Sequence, residues 1–128
     1  MGRAAVQTSD TMGISPTGAP VDLTHLARHT LGDQGLEREV LQLFVRQSAI
    51  VLNRLDSAES ARAVSEQAHT IKGSARGIGA WKVAQAAELV QAEAELGGAT
   101  SISELRAAVQ ETIGFIGALL EDQPSQKS

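Results

Sequence analysis

The run Ala68-His69-Thr70-Ile71-Lys72-Gly73-Ser74-Ala75-Arg76 holds the residues of this chain best suited to chemistry. A neutral imidazole is a competent nucleophile, and its ordinary titration near pH 6.5, to about a unit, keeps much of it neutral at physiological pH. It can attack phosphorus directly. Lys72 follows His69 by three residues, so on a helix its ammonium can lean over the same patch and balance the charge of a phosphoryl group. Gly73 follows by four and is the next residue along the same ridge. Glycine inside a helix costs roughly 1 kcal/mol relative to alanine, so its presence calls for a compensating reason. Access is that reason: no side chain obstructs an approaching partner.

These roles require a helix that turns His69 outward. At about 100° per residue, Ala68, Ile71 and Ala75 share an inward stripe, and Ser65, His69, Lys72 and Arg76 fall on an adjacent, more exposed ridge. Ser65 and Arg76 are expected at the rim that a partner touches. Arg76 can add a phosphate contact or select a partner by charge, or it can simply point into solvent.

The other elements follow from the same periodicity. Asp22 is a good N-cap for a short first helix carrying Leu23, Leu26 and Leu31, stopped by Gly32, and Asp33 can cap the second. In that second helix Leu36, Val40, Leu43, Phe44, Val51 and Leu55 recur at helical spacing, with Leu41, Val45 and Leu52 widening the stripe. The third is expected from Ser57 or Ala58 to Gly77, with Ala61, Val64, Ala68, Ile71, Ala75 and Ile78 inward and Gly79 as the stop. A fourth carries Val83, Ala87, Val90 and Ala94 up to Gly97 and Gly98. Ser101 and Glu104 have capping-box spacing for a fifth, which places Leu105, Val109, Ile116 and Leu120 inward, flanked by Ala108, Thr112 and Ile113. The expected fold is all-α: an antiparallel four-helix bundle with an additional short N-terminal helix. Residues 1–20, rich in Gly, Ser, Thr and Pro, read as a flexible leader, residues 21–122 as the bundle, and 123–128 as a flexible tail.

The motif His-x-Ile-Lys-Gly-Ser-Ala, followed by an apolar residue and Gly, here His69, Ile71, Lys72, Gly73, Ser74, Ala75, Ile78 and Gly79, resembles that of the histidine-containing phosphotransfer (HPt) domains of two-component phosphorelays. The likeness extends more loosely upstream to VDLTHLARHTLGDQGLEREVLQLF and covers about residues 21 to 121. Arg76 and Gly77 depart from the small or polar residues that many relatives carry there. The resemblance implies that His69 takes a phosphoryl group from the aspartyl phosphate of a receiver domain or returns it to one. It implies that the receiver, in a response regulator or a hybrid histidine kinase, supplies Mg2+ and most of the catalytic machinery. This chain would then bind no cofactor and act as a carrier, not as an independent ATP-dependent kinase; it has no ATP-binding region.

Composition narrows the alternatives. One core of ordinary size suits 128 residues, and a net charge of −4 gives no general pull towards nucleic acid or an anionic membrane. No cysteine is present, which removes disulfides, thiol nucleophiles and zinc thiolate sites. Apolar runs fall well short of the approximately 20 residues needed to span a bilayer, and a cytoplasmic monomer is expected.

Each of these residues has a plainer reading beside the chemical one. His25 and His29, four apart, can share a helix face as a metal pair, but without a third ligand two surface histidines are the better reading. Trp81, the sole Trp, is expected in the core, closing a bundle end. Leu41, Val45 and Leu52 can lie inside the bundle or form an apolar patch on which a receiver docks. The competing function is a helical module of the same fold that binds a response regulator or kinase without phosphotransfer.

Overall fold

The computed structural model describes residues 18–98 and 101–121. Five helices span Leu23–Thr30 (α1), Gln34–Asp56 (α2), Ala61–Ile78 (α3), Trp81–Glu95 (α4) and Ile102–Glu121 (α5), with no strand among the described residues. The fold is all-α. α3 packs most extensively on α4, α2 on α3, and α4 on α5, while α5 returns to α2 and closes a four-helix bundle. Its neighbours run antiparallel: Arg106 at the start of α5 is paired with Asp56 at the end of α2, and Lys82 at the start of α4 meets Glu111 of α5 at 3.4 Å. α1 lies against α2 and α3. Most of the expected leader and all of the expected tail lie outside the described residues, but Ala19 and Pro20 are half-buried and Val21 is fully buried.

The core is built from the stripes that periodicity picks out in α3 to α5. Ala68, Ile71, Ala75 and Ile78 of α3 meet Val83, Ala87, Val90 and Ala94 of α4, all buried. Alanines at these positions let the two helix axes approach closely, and burial of the larger residues contributes about 25 cal/mol per Å² of apolar surface. In α5, Leu105, Val109 and Ile116 are buried, and Thr112 joins them as its hydroxyl donates to the Ala108 carbonyl at 2.8 Å. Leu120 is only half-buried.

Several boundaries and faces differ from expectation. α1 ends at Thr30: Leu31 takes a left-handed φ of 55° as the cap and is 91% exposed, while the Gly32 N–H closes the turn on the Ala27 carbonyl at 3.0 Å. Leu31 is therefore a cap residue, not a core one. α3 starts at Ala61, because the Ser60 hydroxyl accepts the Ala63 N–H at 3.1 Å; Ala61 itself is exposed and Val64 half-buried. At the start of α5, the Ser101 N–H and hydroxyl both donate to Glu93, at 2.9 and 2.8 Å, so a carboxylate of α4 takes the place expected of Glu104.

The largest change is in α2. Its buried residues are Leu41, Phe44, Ser48, Val51 and Leu55, whereas Leu36 and Leu43 are 41% and 46% exposed and Val40 is half-buried. The apolar set is broad enough to allow either choice, and the positions of α3 and α5 decide which part of it is covered.

Candidate functional site

α3 presents the chemistry. Ser60 caps its start, and Gly79, at φ 77°, ends it. Because Ala68, Ile71 and Ala75 are fully buried, His69 is held on the outer side. Its side chain makes no hydrogen bond or ion pair among the described residues, and neither does that of Lys72, which is half-buried three residues on. The other two histidines are occupied: His25 Nε2 lies 3.0 Å from the Arg76 carbonyl oxygen, and His29 Nδ1 lies 3.3 Å from that of His25. Their rings are 4.3 Å apart, and among the described residues no three His, Cys, Asp or Glu side chains converge to hold a metal.

Gly73 is exposed, and a Cβ placed on it would meet nothing within 4 Å; the same holds for Gly77 one turn later. Packing therefore does not explain either glycine. Ser65 is half-buried on the same ridge, one turn before His69. Arg76 is exposed, and its guanidinium turns to Glu88 of α4 at 3.8 Å, a surface pair of small energetic weight.

On the α2 side of this ridge runs a groove of about 330 Å³. Gly73, Gly77 and Ile78 form one wall, Leu36, Val40 and Leu43 the facing one, and Leu26 of α1 contributes to the lining. Ser74 crosses between the first two, its hydroxyl donating to Gln47 Oε1 at 2.7 Å. Gln47 and this bond are not visible in the sequence, since their partners stand 27 residues apart. The exposed apolar residues that line this groove are Leu36 and Leu43. Leu41 is buried, and Val45 lines a separate depression with Ile113, Ile116 and Leu120, between α2 and α5. Of the three residues that could lie inside or form an apolar patch, Leu41 is inside the bundle, and Val45 and Leu52 are half-buried.

Trp81 also departs from the expected core position. It is half-buried at the start of α4, with its indole N–H donating to Asp22 Oδ2 at 3.1 Å and its ring edge-on to His25 at 4.8 Å. It closes the bundle end as a polar tie to α1.

The sequence profile of the Hpt domain matches residues 39–115, more than half of the chain. The chain belongs to the Hpt domain family. Its activity is accordingly histidine phosphotransfer in two-component systems, in which Hpt domains work with receiver domains and kinases. The matched segment runs from within α2 to within α5 and contains one of the chain's three histidines, His69. No curated protein and no solved structure matches. Among the described residues, no helix of this Hpt domain is long and apolar enough to cross a membrane.

Proposed function

We propose that the chain is the phosphocarrier of a multistep phosphorelay, with His69 receiving a phosphoryl group from one receiver-domain aspartate and giving it to another. One observation carries this reading: His69 is the sole histidine in the family-matched segment, and its side chain is exposed and unengaged beside a bare glycine. An imidazole nitrogen of His69 attacks the phosphorus of the aspartyl phosphate. The N–P bond forms as the acyl phosphate O–P bond breaks, and the aspartate leaves as carboxylate. Transfer onward reverses these bond changes on a second receiver.

Lys72 places a cation three residues along the ridge, where it attracts the phosphoryl oxygens. Gly73 lets the receiver's aspartate approach, and the groove edged by Leu36 and Leu43 offers apolar surface to the receiver around it. Ser65 and Arg76 stand at the rim of that contact. The receiver supplies Mg2+, and this chain, acting as a cytoplasmic monomer of residues 21–122, binds no cofactor and uses no ATP of its own.

The test is transfer from a panel of phosphorylated receiver domains with Mg2+, comparing wild type with His69→Gln. Acid-labile, alkali-stable phosphate on the wild type alone is the expected result. Equal labelling of His69→Gln would reject the assignment, and receiver binding without labelling of the wild type would make this a binding module.

A further inference from the structure

α1 lies outside the family-matched segment, yet it lines the groove beside the histidine ridge through Leu26, His29 and Thr30. A helix of eight residues is marginal by itself, so its position depends on tertiary ties. Besides the contact of His25 Nε2 with the Arg76 carbonyl oxygen at 3.0 Å, two ties are present, one at each end.

At the N-terminal end, buried Asp22 is used fully. Its Oδ1 accepts the His25 N–H at 3.1 Å, its Oδ2 accepts the Trp81 indole N–H at 3.1 Å, and its own N–H donates to the Gly79 carbonyl at 2.9 Å. The approach is close enough that a Cβ on Gly79 would fall 2.8 Å from the Asp22 Cβ. This end of α1 is thereby keyed to the turn between α3 and α4. At the other end, the hydroxyl of buried Thr30 lies 3.1 Å from Glu37 Oε2 and also 3.1 Å from the Leu26 carbonyl oxygen; donated to the carboxylate, its proton joins α1 to the first turns of α2.

The groove's other two walls, α2 and α3, belong to the bundle and are tied directly by Ser74 and Gln47. The α1 wall is held by buried Leu26 and by side-chain bonds: the contact of His25 Nε2 with the Arg76 carbonyl along its length and the two pairs at its ends. We infer that Asp22–Trp81 and Thr30–Glu37 are positioning pairs for partner docking: they hold α1 as the third wall and thereby set affinity for the receiver, without touching the phosphoryl group. The receiver is the occupant because the groove is continuous with the histidine ridge through Gly73 and Gly77, and is lined by the exposed Leu36 and Leu43. This inference rests on the proposed function.

The double variant Trp81→Phe with Thr30→Val removes one donor from each tie and keeps both side-chain volumes nearly intact. Each lost hydrogen bond shifts the equilibrium holding α1 in place by about five- to tenfold. Two reactions are compared: labelling of His69 by phosphoramidate, a small donor that needs no docking, and transfer from the receiver domain that labels wild type fastest. The expected result is a KM for the receiver raised about tenfold with kcat and the phosphoramidate rate little changed, and helical content by circular dichroism retained. Thr30→Ser, which restores a hydroxyl in the Trp81→Phe background, should recover part of the affinity. An unchanged KM in the double variant overturns the inference, as does a parallel fall in the phosphoramidate rate, which would place the effect on the fold or on His69. Failure of the proposed function is seen separately, as labelling that persists in His69→Gln.

Discussion

α3 and α5 are helices of similar length, 18 and 20 residues, and each buries one apolar stripe and carries two glycines, of which only Gly77 stands in a last turn. In both helices a Cβ on either glycine would meet nothing within 4 Å. By helix propensity alone, Gly73 and Gly77 are as unfavourable as Gly114 and Gly117. The difference lies in their surroundings. Gly73 sits one turn beyond an exposed, unengaged histidine and faces two exposed leucines across a groove. Gly117 lines a depression among Val45, Ile113 and Leu120, which has a cation in Arg46 but no histidine. A helix-interior glycine therefore says little about function until the residues around it are placed.

The comparison can be tested from both sides. The strongest effect is expected for His69→Gln, with phosphate uptake from receivers abolished while thermal unfolding stays at the wild-type midpoint; uptake by the variant would remove the functional distinction between the two helices. Ile71→Ala acts on the same helix two residues away but on its buried side, and should lower the unfolding free energy by about 2–5 kcal/mol in denaturant titrations. A loss under 1 kcal/mol, by the same scale, would mean that α3 is not anchored by that stripe.

Gly73→Gln should slow receiver transfer on the order of a hundredfold by filling the approach to His69, with stability unchanged or slightly raised. Transfer at the wild-type rate would show that Gly73 is as incidental as Gly117. Lys72→Ala should reduce transfer about tenfold through loss of a charge-assisted contact to the phosphoryl group, measured as initial rates against one receiver. The smallest effect is expected from Gly114→Ala combined with Gly117→Ala, a gain of roughly 0.5–1 kcal/mol per site with transfer unaltered. A drop in transfer there would assign α5 a role in docking.

The site was legible where it depends on one helix. Ala68, Ile71 and Ala75 at steps of three and four turn His69 outward, and the spacing from His69 to Lys72 and Gly73 follows from the helix itself. The apolar surface near the site was not legible. α2 carries more apolar residues than one face can bury, so sequence alone leaves open whether Leu41, Val45 and Leu52 lie inside or form a patch, whereas the bundle leaves Leu36 and Leu43 open and takes Leu41 inside. Trp81 was read by its bulk, but its placement follows from an N–H that finds Asp22, a residue 59 positions away. Leu31 was counted with the apolar residues of α1, and the chain reversal at Gly32 put it in solvent as a left-handed cap.

The sequence by itself determined the helical class, the inward stripe of α3 from Ala68 onward, those of α4 and most of α5, the outward side of α3 that carries His69, and a motif specific enough to indicate the family. These are local properties, set by backbone geometry and by residues three or four apart. Only the tertiary structure decided which edge of α2 remains open, how Glu93 and Ser101 join α4 to α5, and how α1 is tied in as a wall of the groove. Those outcomes depend on contacts between residues far apart in the chain, and a helix's periodicity says which side is apolar without saying what will cover it.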